Sequence, residues 1–359
     1  SIKLLNCDAV RYYFKCAVFE IIGQCEFPEA CVLKIINSYM ERPEWSDYIT
    51  QVVFYGHLPY IKHLISTHHG WFSDTTLALL ESISYKAPDF VTEILDSFAL
   101  QDTERDRKIF CTLCHDVNDD SEGMFQLRCK ILKRNPVLFQ MFWGFSELIK
   151  KKSTRAVDLF DILLENWRVK TSAHIYMIEE KETLSLYVSS NYQIIISKLF
   201  QKICDMTYDY LPQWPYYGAD SEFRDWTAYE YNESVTRKIV EIVKLAFKAY
   251  AQSDSDGLIK FIKSIAYPIS AVGHELIMHA LSNLPIEYSD EAIQWLLSDF
   301  DRKIFVFSAN KSDYLCYAKQ ILQKFSPFCN MEHFCRLEQV ICAWKEDQEK
   351  MVRTYKHRM

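Results

Sequence analysis

Glycine is scarce in this chain, with 8 in 359 residues, and there are only 10 prolines. All-β sandwiches, barrels and dinucleotide-binding α/β folds place glycine at their tight turns and phosphate loops, so the shortage argues against all three. Period-two alternation of useful length is missing, and no Asn-Gly hairpin signal occurs. The one Asp-Gly, Asp256 followed by Gly257, leads into LIKFIKSIAY, which has helical spacing. An excess of positive charge is missing too. The formal net charge is −7 and the pI is near 5.8, which excludes phosphate-backbone binding as the main task, because such binding needs clustered cations. The short basic run at 150–152 reads as a solvated helix end. Long apolar runs are absent: the longest stretch without Asp, Glu, Lys or Arg is 183–197, rich in Ser, Asn, Gln and Tyr. A membrane-spanning helix needs about 20 mostly apolar residues.

Phosphate loops and nucleophile elbows are missing as well. There is no GxxxxGK[ST], GxGxxG or GxSxG anywhere in the chain. Three near misses remain. IFCTLCHDVNDD, at 109–120, carries Cys111, Cys114 and His115 with the CxxCH spacing of c-type haem attachment. On a helix the three share one face, but tetrahedral zinc needs a fourth ligand, and no second CxxC or HxxxH occurs. The acidic tail fails as a calcium loop, because Ser121 stands where glycine is needed and Leu127 where a bidentate Glu is needed. The stretch therefore reads as a helix end and a polar loop, with Asp119 and Asp120 a solvated acid pair like Glu179 and Glu180. HELIMH places His274 and His279 five apart, about 140° around a helix, instead of the four that a zinc protease uses. CNMEHFC scatters Cys329, His333 and Cys335 across faces, and THHGW at 67–71 suits a helix C-terminus. No catalytic residue, cofactor site or metal site is assigned.

What is present is apolar mass at helical spacing. Hydrophobic residues make up 49% of the chain and aromatics 15%, enough for a large core. Phe90, Val91, Ile94, Leu95 and Phe98 form one stripe, and Ala156, Leu159, Phe160, Leu163 and Trp167 another. Ile239, Ile242, Val243, Ala246 and Tyr250 form a third, and Phe334, Leu337, Ile341 and Trp344 a fourth. Pro28, Pro43, Pro88 and Pro136 sit where new helices start, and Asp74, Ser153 and Ser289 are candidate N-caps. Many of the twelve cysteines, Cys16, Cys31, Cys204 and Cys342 among them, stand in apolar contexts that suit reduced thiols in a cytoplasmic protein. The chain opens on Ser1 without a secretory leader, which is the expectation for a region of a longer protein.

The expected fold is all-α, roughly eighteen helices of about 10–20 residues joined by short links. One pair per about 35–40 residues is near the period of HEAT and armadillo arrays. No clean repeat in residue identity is visible. A HEAT- or armadillo-like α-solenoid of stacked helix pairs, in one lobe or two, is the leading architecture, with a non-repetitive helical bundle as the alternative. Residues 208–231, YDYLPQWPYYGADSEFRDWTAYEY, break the rhythm with nine aromatics, Pro212, Pro215 and Gly218. The expected organisation is an N-terminal helical lobe over 1–207, this irregular connection, and a C-terminal helical lobe over 232–359.

Residues 290–344 hold A-x-x-W-L-x-x-D (Ala292, Trp295, Leu296, Asp299), a short arginine-containing link, S-P-x-C (Ser326, Pro327, Cys329) and F-x-x-L-E (Phe334, Leu337, Glu338). This pattern resembles the helical-repeat regions that follow the ATPase in bacterial STAND P-loop NTPases, AVAST-like antiviral members among them. PEWSDYITQVVFYGHLPYIKHL at 43–64 has a similar character. The resemblance covers about a quarter of the chain and carries over no catalytic residue. It implies a C-terminal sensor that binds a trigger, in antiviral members a phage protein, after which the ATPase oligomerises. The missing Walker motif departs from a whole STAND protein and fits the sensor region.

The sequence therefore leads to a non-catalytic protein-binding helical module, the target-sensing region of a larger bacterial defence NTPase. A general scaffold or adaptor solenoid, and a helical enzyme with an unrecognised site, stand as alternatives. The partner expected is a protein, with neither nucleic acid nor membrane. Trp214, Tyr216, Tyr217, Phe223 and Trp226 are the candidate partner-binding residues, because Trp and Tyr dominate binding hot spots. Asp220, Glu222 and Asp225 among them favour a basic partner surface. The same rings could instead fill a lobe junction, and mutation separates the two readings. As exposed anchors, Trp214→Ala, Tyr216→Ala and Tyr217→Ala each weaken binding by about 2 kcal/mol at unchanged melting temperature. A loss of about 3–5 kcal/mol of fold stability in all three would instead place them in a core.

Overall fold

The computed structural model describes residues 87–100, 102–113, 120–141, 144–166, 181–208, 235–265, 270–298 and 316–356, with isolated positions 77, 80, 81 and 84. Among the described residues all regular secondary structure is helical and there is no strand. The chain divides into two compact units, Ser1–Gly144 with Val169–His174, and Phe145–Arg168 with Ile175–Met359.

In the first unit, α1 (Pro88–Phe98) starts on the proline that the sequence marks, and it buries Val91, Ile94 and Leu95. Helix α2 (Thr103–Thr112) begins at Asp102, whose carboxylate accepts the Arg105 N–H at 2.8 Å. Ser121 caps α3 (Glu122–Arg134) by accepting from Met124 N–H, and Lys133 and Arg134 in the last turn complement its dipole. A 3₁₀ turn, Pro136–Met141, follows, opened by the second marked proline that falls here. Helices α1 and α2 and the 3₁₀ turn all pack on α3, around Leu95, Ile109, Phe110, Phe125, Leu132 and Phe139.

The second unit contains α4 (Phe145–Lys150), α5 (Arg155–Glu165), α6 (Lys181–Tyr208) and α7 (Val235–Ser253). It continues with α8 (Ser255–Ser264), α9 (Ala271–Ser282), a short 3₁₀ turn (Ile286–Tyr288), α10 (Ser289–Leu297), α11 (Cys316–Phe325) and α12 (Met331–Lys356). Asp254 and Ser270 cap α8 and α9 through Gly257 N–H and Gly273 N–H. Packing runs along chain order. Helix α5 lies on α6, α6 on α7 and α9, α7 on α9, α9 on α11, and α10 on α11 and α12.

The stripes read from the sequence face these contacts. Ala156, Leu159, Phe160 and Leu163 are buried, as are Ile239, Ile242, Val243 and Ala246. Phe200, Phe247 and Phe261 lock α6, α7 and α8 together with ring centroids 5.4, 5.7 and 6.0 Å apart. Phe145 stacks on Phe160 at 5.5 Å between α4 and α5. Such pairs add about 0.5–1.5 kcal/mol beyond area burial.

Three local expectations need correction. Ser289 is the first residue of α10 instead of its cap, and its hydroxyl donates to the Ile286 carbonyl. Cys342 is exposed, because α12 buries only Leu337 of its first thirteen residues and leaves Ile341 at 36% exposure. Ser153 accepts from Arg155 N–H at 3.3 Å, but the capping position itself belongs to Thr154, whose side chain makes no cap bond.

Two non-glycine residues have positive φ, Leu100 at 62° and Lys152 at 55°. At Lys152 the reason is visible. Ser153 N–H donates to Leu148 O at 2.8 Å and Lys152 N–H to Ile149 O at 3.0 Å, the two bonds of a Schellman ending of α4. The left-handed position usually goes to glycine, since a Cβ there costs about 1–2 kcal/mol. Asn191 on α6 donates to the Lys152 carbonyl at 3.2 Å and holds the turn in place. Because the Lys152 side chain is exposed, Lys152→Gly should stabilise the protein by about 1 kcal/mol, less the greater freedom of glycine in the unfolded chain. A higher urea midpoint at unchanged slope is the expected result, and a lower midpoint contradicts the strain reading.

Candidate functional site

The five aromatic candidates, Trp214, Tyr216, Tyr217, Phe223 and Trp226, lie outside the described residues. The helices that flank them belong to one unit: α6 and α7 pack along their lengths, with Tyr192 against Tyr250 at 5.1 Å and Phe200 against Phe247. Of the CxxCH group only Cys111 is described. It stands half-buried in the last turn of α2, its thiol pushed up by burial against the opposing pull of Arg107. Among the described residues no group of three or more His, Cys, Asp or Glu side chains is arranged to hold a metal ion.

The HELIMH segment is the middle of α9, and the five-residue spacing sends its histidines to different neighbours. His274 is buried, with Nδ1 3.1 Å from the Ser270 carbonyl and its ring 6.1 Å from Trp295 of α10. The His279 ring instead meets Tyr317 of α11 edge-on at 5.6 Å. Between them, Glu275 pairs with Lys244 of α7 at 3.0 Å, and Lys244 also reaches Glu241 at 3.1 Å. The Lys244 and Glu275 side chains are only 9% and 8% exposed. Burial alone would discharge Lys244. The two glutamates outweigh it and hold the ammonium charged well above the usual lysine range. His279 is affected oppositely, since burial and then the nearby Lys244 charge lower its pKa to about 4. This junction of α7, α9 and α11 thus contains a fixed ion pair beside a neutral imidazole.

Such an arrangement suits architecture better than chemistry. A lysine held protonated is no nucleophile, and an imidazole with a pKa about 4 is a weak base at neutral pH. The Cys204 thiol is pushed up to about 12 by burial, and burial likewise raises the Tyr187 hydroxyl above its ordinary range.

The first unit holds a second buried pair. Arg128 donates to both Asp120 oxygens at 2.9 and 3.1 Å, donates to the Leu113 carbonyl, and lies 5.5 Å from the Phe110 ring centroid. The Asp120 side chain is 2% exposed, which corrects its reading as half of a solvated acid pair. Buried Asp106 of α2 accepts the Leu100 N–H at 2.7 Å, and Arg134 donates to the Leu100 carbonyl, so the left-handed turn between α1 and α2 is clamped from both sides. A signal for both ion pairs was present in the sequence. Arg128 interrupts the apolar run Met124–Leu132, and Lys244 interrupts the stripe around Val243 and Ala246. A charge on an apolar helix face requires a partner elsewhere.

At the junction of α10 and α12, Asp290 accepts from Asn330 N–H at 2.7 Å and from His333 Nδ1 at 3.1 Å. These bonds hold its carboxyl below the usual range, the Asn330 amide contributing most. Comparison with protein-family models, with curated proteins and with solved structures gives no match.

Two measurements probe the α7–α9–α11 junction. Glu241 still faces Lys244 when Glu275 is removed, whereas Lys244→Met takes the cation from the buried Glu275 carboxylate, so Lys244→Met should cost about 3–5 kcal/mol, and combining it with Glu275→Leu should recover most of that. A double variant no more stable than the single would contradict the ion-pair account. For His279, the unfolded chain takes up the proton first as pH falls below about 6.5, whereas the folded state resists until about 4. Stability is therefore unaffected by this group above about pH 7 and falls by about 2 kcal/mol between pH 7 and pH 5. In His279→Gln that part of the slope should vanish, and an unchanged slope would remove His279 from the account.

Proposed function

We propose that this chain is a non-catalytic, protein-binding α-helical array of HEAT or armadillo type, acting as the cytoplasmic target-sensing region of a larger bacterial STAND-type defence NTPase. The observation that supports the array most directly is the packing order of the second unit. Among the described residues its substantial helix contacts join elements no more than three described helices apart, the pattern expected when each amphipathic pair buries its face on the next. Among the described residues no helix is long and apolar enough to cross a membrane. The groups most capable of chemistry there, Lys244, His279 and Cys204, are biased away from reactivity at neutral pH. The link to STAND sensors rests on the motif pattern over 290–344. The trigger in this reading is a folded protein, a phage protein in the antiviral case, and the aromatic segment 208–231 supplies its anchors.

The test uses the full reading frame that encodes the chain. It should contain a P-loop and a Walker B acid ahead of Ser1, and the purified product should hydrolyse ATP only when a phage trigger protein is added. Trp214→Ala with Trp226→Ala should abolish that stimulation. A reading frame without a P-loop, or ATP turnover indifferent to every phage protein supplied, would overturn the sensor assignment.

A further inference from the structure

We draw no further inference here: the strongest candidate, the apolar seam of α12 that runs from buried Leu337 to exposed Ile341 beside the exposed Met331 and Phe328, is an unpartnered face, and nothing in the structure shows what covers it.

Discussion

An amphipathic helix cannot bury its own apolar stripe, and the second unit follows from that constraint. Helix α7 shows it most plainly. Ile239, Val243, Ala246 and Phe247 leave water only because α6 lies along one side and α9 along another, with α5 and α8 adding further contacts. At about 1.5–3 kcal/mol for each large side chain buried, no single neighbour supplies enough to fix the helix. Once α6, α7 and α9 are joined, the polar side chains trapped between them must be satisfied where they stand. Lys244 and Glu275 answer that requirement by pairing at 3.0 Å, and His279 answers it by staying neutral.

Exposed ion pairs matter less. Lys198 with Asp158, and the half-buried Lys202 with Asp161 and Glu165, stitch α5 to α6, and ion pairs this open to solvent contribute about 0–1 kcal/mol each. The buried pairs do something different. They specify which helix faces meet, because a shifted register would strand Lys244 or Arg128 in an apolar environment. In the first unit Arg128 also connects Asp120, Leu113 and Phe110, so one guanidinium ties the residue before the α3 cap to the end of α2.

Helical character was legible in the sequence wherever one apolar stripe recurs, as at Val91–Leu95, Ala156–Leu163 and Ile239–Ala246, and Pro88 marks its helix start directly. Local signals failed where the deciding partner is distant along the chain. Asp120 reads as solvated until Arg128 folds over it, and nothing in the sequence around Glu275 points to Lys244, which α7 brings beside it. The stripe on α12 has the right spacing, yet burial requires a neighbour, and only Leu337 finds one in its first thirteen residues. Ser289 has the chemistry of a cap, but the preceding 3₁₀ turn places it one position inside the helix. The aromatic candidates at 214–226 rest on composition alone, since they fall outside the described residues.

Sequential stacking distinguishes a helical array from a single cooperative bundle, and native-state amide hydrogen exchange in increasing denaturant reads that distinction directly. The array account predicts graded opening within residues 145–359. Amides of α6, α7 and α9, each flanked by several helices, should exchange at the highest free energy, those of α10 and α11 at intermediate values, and those of α12 first. A single opening free energy shared by α6 through α12 would contradict it.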